Sequence, residues 1–317
     1  MSSQRKTRTF EKRMSEVLGI RPNEVESVFR GARPTSIRIN RLLDEERYQE
    51  TLEVVRAKAI GIVPVEWAEH CWFWPDGEGF EDVLPLAHEG RVYLQNAASL
   101  IPPVALDPRP GDAVLDVAAA PGGKAFHIAA RTGGDCELWL NDSAPPRAEK
   151  LADLAGLYGV RYAELTTHNA QYIDKSLPAE RFDRVLLDVQ CSGEGRVNLR
   201  KSDALRYWSE ERIDKYKHLQ TKMCDAAYKL LKPGGTLVYS TCTLSPEEDE
   251  FPVHKVLRRH SDLSVAPLGF SEEEFLPGLR SWRGEKFDRG LEHAVRVRPS
   301  ELFEGFFVAK LVKSPPA

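Results

Sequence analysis

Apolar and polar residues follow two different patterns along the chain, and the change between them divides it near residue 90. In the first part, the pattern predicts a strand around SIRIN (36–40), a helix over residues 45–59 and another strand near GIVPVEW. The next segment, PDGEGFED (75–82), is polar and rich in turn-forming residues. Residues 1–90 are therefore predicted to form a small α+β domain.

Residues 91–317 show short apolar runs of strand length separated by helical patterns. The predicted strands are DAVLDVA (112–118), ELWLND (137–142), RVLLDV (184–189), TLVYST (236–241) and GFFVAKLVK (305–313). Helices are predicted from Gly123, from Pro145, and over residues 209–231, where apolar residues from Ile213 to Leu230 recur every three or four positions. Strands that alternate with helices predict a mostly parallel sheet covered on both faces.

The composition is that of a globular protein and excludes several other classes. Of 317 residues, 42% are hydrophobic and 29% charged, and no segment approaches the ~20 apolar residues of a membrane span. The first residues are polar and basic, so we expect no secretory signal and a cytoplasmic protein. Five cysteines, an odd number without a CxxC pair, argue against a disulfide framework and against a bound metal.

Charge is distributed unevenly along the chain. The formal net charge is −4, but residues 1–41 carry ten Arg or Lys and only four Glu, so the remainder is strongly acidic. A basic segment of this kind is typical of a phosphate-contacting element, and equally of a solvated tail.

The turn after the first strand of the larger domain is a candidate cofactor loop, because ligands of such sheets bind at the carboxyl ends of the strands. The loop residues are Ala118, Ala119, Ala120, Pro121, Gly122, Gly123 and Lys124. They lack the first Gly and the Ser or Thr of a P-loop, and also the GxGxxG of a dinucleotide fold. A compact nucleoside such as S-adenosylmethionine fits better. Asp142, after the next strand, either accepts its ribose hydroxyls or only begins a helix.

An acid and two cysteines mark the ends of the next two strands. Asp188 and Cys191 follow RVLLDV, while Cys242 ends VYSTC and precedes SPEED, which predicts a helix N-terminus. If these strands are neighbours, the three side chains converge on one cleft. The other cysteines are interpreted as small buried apolar residues: Cys71, Cys136 and Cys224.

The motifs LDVAAAPGGK, DVQCSGEG and VYSTCTLSPEEDE, in this order, resemble those of RNA cytosine-5 methyltransferases of the RsmB/NOP2/Sun type. RPTSIRIN, YLQNAAS, LKPGG and GFFVAKL extend the resemblance from about residue 33 to residue 313. It implies a class I S-adenosylmethionine-dependent methyltransferase fold, Rossmann-like and mostly parallel with an antiparallel last strand. It also implies an N-terminal RNA-binding domain over residues 1–90 and a catalytic domain over residues 91–317.

The resemblance implies methyl transfer to C5 of cytosine through a covalent adduct, with ribosomal RNA favoured as the substrate and transfer RNA as the alternative. Cys242 corresponds to the nucleophile that attacks C6, Asp188 to the acid that bonds N3, and Cys191 to the residue that assists product release. The family has Pro before that second cysteine, and Gln190 stands here instead. Gln190 frees the backbone and adds a side-chain amide beside the thiol, and both changes affect the release role that the resemblance implies for Cys191.

The same resemblance implies the cofactor ligands. Residues 118–124 correspond to the cofactor loop, Asp142 to the ribose ligand and Arg147 to a nearby family arginine. Where the family often has an Asp that bonds the adenine amino group, this chain has Asn169, whose neutral carbonyl can still accept.

RNA contacts are expected from basic residues near the cleft, although ordinary surface charge explains them almost as well. The candidates are Arg33, Arg38, Arg41 and the RVNLRK segment (196–201). Two further hypotheses stay open: an RNA-binding assembly factor of this fold without turnover, and an enzyme whose nucleophile is Cys191. The particular RNA, the cytosine and the oligomeric state do not follow from the sequence.

Overall fold

The computed structural model describes residues 3–58, 62–74 and 80–315. The α-helices are Ser3–Leu18 (α1), Pro22–Val28 (α2), Glu45–Lys58 (α3), Phe80–His88 (α4), Ile101–Leu106 (α5), Gly123–Arg131 (α6), Pro145–Leu157 (α7), Glu210–Leu230 (α8) and Glu250–Leu257 (α9). Short 3₁₀ turns are Ala97–Leu100, Ala170–Lys175, Glu194–Arg196 and Arg289–His293. Within these ranges, no helix combines the length and the apolar content needed to cross a bilayer.

The strands form two main sheets and one short hairpin. They are Ser36–Ile39 (β1), Val63–Pro64 (β2), Cys71–Phe73 (β3), Val92–Gln95 (β4), Ala113–Asp116 (β5), Glu137–Asn141 (β6), Glu164–Thr166 (β7), Phe182–Asp188 (β8), Leu231–Thr241 (β9), Leu263–Ala266 (β10), Phe275–Pro277 (β11), Ser281–Trp282 (β12), Glu285–Lys286 (β13), Val295–Val297 (β14) and Phe306–Lys313 (β15). The predicted turn-rich segment falls largely on residues 75–79, outside the described residues.

The basic N-terminal segment is folded, because an apolar stripe is hidden in its polar sequence. Phe10, Met14 and Val17 recur along α1 at helical spacing and are buried. The Phe10 ring lies 5.0 Å from the ring of Phe29 and 5.3 Å from that of Trp208. These helices therefore pack against the segment that follows Cys191, and the alternative of a solvated tail is wrong for this part of the chain.

The first sheet is antiparallel, with strand order β2-β3-β1-β4. Alternate residues Ile37 and Ile39 of β1 pack with Val55 of α3 and Val83 of α4 in one buried cluster. The sheet includes β4, which begins at Val92, two residues beyond the predicted domain boundary. The boundary itself stays a prediction.

The larger sheet has nine strands, in the order β11-β14-β15-β9-β8-β5-β6-β7, with β10 paired to β15. The parallel strands are β5, β6, β7, β8 and β9. The strand nearest the end of the chain, β15, lies antiparallel to β9. Because β8 lies between β5 and β9, the carboxyl ends of these three strands meet at one edge of the sheet.

Helix α8 buries part of the face that its apolar residues predict, including Ile213, Ala227 and Leu230. Gln220 and Cys224 are fully buried, whereas Tyr216 and Leu219 are only partly buried. A buried glutamine has a hydrogen-bonding role that apolar periodicity cannot reveal.

Candidate active site

The carboxyl ends of β8 and β9 bring the two predicted cysteines together. Asp188 pairs with Ser240 in the sheet register, and the loops that follow place Cys191 Sγ 3.3 Å from Cys242 Sγ. Ser240 Oγ donates to Asp188 Oδ1 at 2.7 Å, and Lys124 Nζ lies 2.8 Å from Asp188 Oδ2. One cleft thus contains both thiols, the acid and the lysine of the predicted cofactor loop.

The surroundings shift the pKa values of the two thiols in opposite directions. The hydrogen bond from Cys191 lowers the pKa of Cys242, assisted by the charges of Arg196 and Lys124, although burial acts in the opposite direction. The same hydrogen bond raises the pKa of Cys191, together with burial and the Glu248 carboxyl. These shifts favour the thiolate on Cys242 and the retained proton on Cys191.

The loop in which Gln190 replaces the family proline is held by α8. Gln220 Nε2 donates to Gln190 O at 3.0 Å and to Glu248 Oε2 at 2.9 Å. The backbone N–H of Ser192 donates to the same carboxylate oxygen at 3.0 Å. Burial raises the pKa of Glu248 to about 7. These hydrogen bonds hold the backbone around Gln190 in place. In relatives with proline at this position, the proline ring restricts the same backbone.

A second buried acid ties the two cysteine-bearing loops to each other. Glu194 accepts from Ser245 Oγ at 2.5 Å, from Thr243 Oγ1 at 3.0 Å and from Trp208 Nε1 at 2.7 Å. Arg13 of α1 reaches it at 3.5 Å. The N-terminal helix therefore contributes directly to the support of the site.

The acidic residues after Cys242 form ion pairs with arginines from distant segments and do not begin a solvent-exposed helix. Arg13 pairs with Glu247 at 2.5 Å, and Arg296 pairs with both carboxylate oxygens of Glu250 at 2.7 and 2.8 Å. Arg296 also donates to the carbonyl oxygen of Leu244. The helix predicted from SPEED begins at Glu250, after this buried run.

Glycines allow three distant segments to cross beneath the cysteines. Gly195 N–H donates to Cys242 O at 3.1 Å, and Gly305 N–H donates to Gly195 O at 3.0 Å. A Cβ on Gly195 would lie 1.8 Å from Gly305 O, so no side chain fits there. Arg33 Nη1 donates to the same Gly195 carbonyl at 3.2 Å.

A cavity of about 200 Å³ adjoins the cleft and contains most of the predicted cofactor loop. Loop residues that line it are Ala118, Ala119, Ala120, Pro121, Gly123 and Lys124, joined by Asp188. Gly122 is the left-handed N-cap of α6, with φ of 113°. A Cβ on Gly123 would lie 2.9 Å from the Tyr93 ring, so small residues keep this cradle open.

One acid in this cavity was not predicted from the sequence. Asp116 ends β5, lines the cavity and is 1% exposed, with Oδ1 accepting from Ala118 N–H at 3.2 Å. Burial raises its pKa to about 7. Its position at a strand end, like that of Asp188, was the signal that would have identified it.

The other predicted cofactor residues lie outside the cavity lining. Asp142 is 2% exposed, Arg147 Nη1 lies 3.1 Å from its Oδ2, and Arg147 Nη2 donates to Ala120 O at 2.6 Å. These two residues therefore support the loop from one side. Asn169 is exposed, and its Oδ1 already accepts from Gln171 N–H at 3.0 Å.

Two of the three arginines proposed for RNA contact are occupied within the protein. Arg33 donates to the carbonyl oxygens of Gly195 and Val197. Arg38 is 4% exposed and donates to Gly123 O at 3.1 Å. Of the three, Arg41 alone presents an exposed guanidinium.

Residues 103–312 match the family model described as 16S rRNA methyltransferase RsmB/F. Ribosomal RNA small subunit methyltransferase F from Klebsiella pneumoniae (strain 342) is 36% identical over 290 residues, which cover 88% of this chain and 57% of that protein. The protein of the same name from Escherichia coli O17:K52:H18 is 35% identical over 289 residues, with the same coverage. This chain spans little more than half the length of these curated relatives.

Solved structures share the whole fold. A methyltransferase homolog protein from Pyrococcus horikoshii has a TM-score of 0.81 and 29% identity, covering 99% of this chain and 100% of that chain. NSun6 from Pyrococcus horikoshii with SFG has a TM-score of 0.76 at 20% identity, covering 97% of this chain and 98% of that chain, a likeness of fold alone. The predicted class I methyltransferase fold with an antiparallel last strand is confirmed.

Proposed function

Because this chain belongs to the family of 16S rRNA methyltransferases RsmB/F, we propose that it methylates C5 of a cytosine in RNA, ribosomal rather than transfer RNA, using S-adenosylmethionine. The observation that carries the proposal is the thiol pair, 3.3 Å apart, beside the ion pair of Lys124 with Asp188. A soft nucleophile and an acid in one cleft are what addition to a cytosine ring requires.

The cofactor cradle supports S-adenosylmethionine as the methyl donor. Small residues of the loop over 118–124 keep the cavity open, and Asp116 and Asp142 offer buried carboxylates at consecutive strand ends. When bound, S-adenosylmethionine supplies a methyl group on a sulfonium. The chain's own task is to hold that group near the cysteines and to keep water away.

The proposed reaction begins at Cys242. Its thiolate adds to C6 of cytosine, and the π electrons of the C5–C6 bond move toward C5, which becomes nucleophilic. Asp188, which Lys124 and Ser240 position, takes a proton from Lys124 Nζ at 2.8 Å and donates it in a hydrogen bond to N3, which neutralises the charge that develops on the ring. After C5 has gained its methyl group and lost its proton to a base, the C6–S bond breaks and its electrons return to sulfur. Cys191 can donate a proton to the leaving sulfur.

The cytosine must leave its stack to reach this cleft, because the thiols lie below the surface. Unpaired or extruded nucleotides are therefore the proposed substrates. The N-terminal domain and the segment after Cys191 flank the site and supply the RNA-binding surface in this proposal.

Methylation assays on three cysteine variants test the mechanism. Cys242→Ala should reduce methyl transfer from labelled cofactor to RNA by at least about a thousandfold, since the nucleophile is removed. Cys191→Ala should accumulate a covalent RNA adduct on a denaturing gel. Cys136→Ala, a half-buried cysteine outside the cleft, is the control. Undiminished methylation by Cys242→Ala would contradict the mechanism.

Two other hypotheses remain testable. The neutral side chain of Asn169, where the family often has Asp, favours weak cofactor binding, as expected of an RNA-binding assembly factor without turnover. Calorimetry with S-adenosylmethionine separates the two: RNA binding with no measurable cofactor affinity would support the assembly factor. A nucleophilic Cys191 is disfavoured by its raised pKa, and the cysteine variants decide that question too.

A further inference from the structure

A second cavity, of about 350 Å³, lies between the first sheet and α6. Its lining shares no residue with the cavity at the cofactor loop. Six ionisable side chains face it: Arg38, Arg41, Arg131, His70, His127 and Glu69. Three guanidiniums and a single carboxylate give this cavity a positive charge in a chain whose net charge is −4.

Arg38 is the most deeply placed of these charges. It is 4% exposed, and Nη2 donates to Gly123 O at 3.1 Å, while the guanidinium carbon lies 5.4 Å from the centroid of the Tyr93 ring. Its Nε has no hydrogen-bond partner, and no ion pair joins it to a carboxylate in the described part of the chain. A buried cation without a counter-ion is unfavourable, so an anion in the cavity would stabilise it.

The helix side of the cavity carries two more unsatisfied groups. His127 is 2% exposed, and its Nδ1 makes no hydrogen bond to any residue that the structure describes. Burial lowers the pKa of His127 well below the usual value, together with the charges of Arg38 and Arg131. Within the same ranges Arg131 Nε is also unpaired, while Nη2 lies 3.7 Å from Asp107 Oδ1. Both side chains line the cavity and have hydrogen-bonding capacity that no described residue uses.

On the opposite side of the cavity, the side chain of Tyr48 positions two of the lining residues. The guanidinium carbon of Arg41 lies 4.2 Å from the centroid of the Tyr48 ring, and Tyr48 Oη lies 2.7 Å from His70 Nδ1. The exposed arginine and the histidine are therefore positioned by the same side chain. Glu69 supplies the single negative charge of the lining.

We propose that this cavity binds a phosphate group, and that the phosphate belongs to the backbone of the RNA substrate. Several arginines around one space match the many acceptor oxygens of phosphate, which guanidiniums bind through paired N–H groups. The phosphate chemistry follows from the lining alone. Only the choice of RNA as its source rests on the proposed function.

The position of the cavity suits an RNA strand that continues into the cleft. Arg38 contacts Gly123, which begins α6 and lines the cavity at the cofactor loop. At about 1.5 Å per helical residue, His127 and Arg131 lie roughly 6 and 12 Å farther along the same helix. One helix thus connects the proposed phosphate contact to the methyl-transfer site.

Binding of inorganic phosphate tests the chemistry. The double variant Arg41→Gln/Arg131→Gln leaves buried Arg38 in place, and Arg47→Gln/Arg56→Gln, on exposed positions of α3, removes the same charge outside the cavity. Thermal unfolding is followed during titration with sodium phosphate, against sodium chloride at equal ionic strength. Phosphate should raise the Tm of the wild type and of the α3 variant, with at least fivefold weaker binding to the cavity variant. Equal binding to all three proteins would overturn the site.

Binding of RNA at several salt concentrations tests the source. In the cavity variant, the plot of log affinity against log salt should become shallower by roughly 0.7 to 0.9 for each RNA phosphate that is no longer neutralised, beyond any change in the α3 variant. An unchanged slope together with weakened inorganic phosphate binding would assign the cavity to free phosphate and overturn the RNA source. Both measurements follow binding and not methylation, so failed methylation contradicts only the proposed function.

Discussion

Cys191 and Cys242 differ in their surroundings more than in their sequence motifs. Both follow a strand end, and both are hidden from most solvent, yet Lys124 and Arg196 favour the anion on Cys242 while Glu248 disfavours it on Cys191. The difference in pKa between the two thiols therefore depends on residues that come from three separate segments of the chain.

The pH dependence of alkylation tests that difference. For the wild type, the midpoint of Cys242 alkylation by iodoacetamide should lie below that of an ordinary cysteine, because the hydrogen bond from Cys191 stabilises the thiolate. Cys191→Ala should move the midpoint upward, whereas Cys191→Ser, which keeps a donor, should move it less. Mass spectrometry of the peptide that contains Cys242 measures the modification. A midpoint that stays in place in Cys191→Ala would contradict the inferred hydrogen bond.

For individual side chains, the positions of the candidate groups were predictable from the sequence, but their partners were not. Asp188 and both cysteines were predicted at strand ends, and the structure places all three in one cleft. The support provided by Glu194 could not be predicted, because Arg13 lies 181 positions away from it in the chain. Burial of an acid depends on such distant partners, which a local pattern does not contain.

Among the helices, α1 is joined to the two cysteine-bearing loops by Arg13. Arg13 is 3% exposed and pairs with Glu194 and Glu247. Helix α1 is therefore held in place both by its buried apolar side chains and by the ion pairs of Arg13.

Substitution of that arginine should destabilise the protein strongly. Arg13→Ala leaves Glu194 buried without its cation, and we expect the free energy of unfolding to fall by about 3 kcal/mol. Lys12→Ala removes an equal charge from the exposed side of the same helix and should change it by less than about 0.5 kcal/mol. Urea unfolding measures both variants. Similar values for the two would show that the buried ion pairs contribute little.

The parallel core of the larger domain was predictable because its strands are apolar runs with helices between them. β5, β6, β8 and β15 begin and end within about two residues of their predicted positions. Short antiparallel strands such as β10 and β14 were missed, since three or four residues carry too little periodicity. Helix α1 was missed because its basic composition concealed the apolar stripe.

Across the molecule, the crossing at Gly195 and Gly305 joins the centre of the chain to its last strand. Arg33 adds a contact from the first domain. Which strands lie side by side, and therefore which loops meet, is a property of this global arrangement. The family resemblance implied it, whereas the apolar pattern alone did not.

A methyl group at the crossing should disturb both folding and the site. Gly195→Ala would place Cβ 1.8 Å from Gly305 O, and we expect a loss of roughly 2–4 kcal/mol in the free energy of unfolding. Gly156→Ala, in α7 with no described atom within 4 Å of the added Cβ, should instead stabilise by about 0.5–1 kcal/mol. Urea unfolding compares the two. A tolerated alanine at position 195 would show that the crossing is loosely packed.

The crossing also has a consequence for synthesis of the protein. Gly195 N–H binds the carbonyl of Cys242, and Gly305 N–H binds the carbonyl of Gly195. A nascent chain that is still tethered to the ribosome and lacks β15 cannot form the hydrogen bond from Gly305 N–H to Gly195 O. We expect the Cys191 and Cys242 thiols of such a fragment to react alike with an alkylating reagent, and the difference between them to arise only when the last strand has left the exit tunnel.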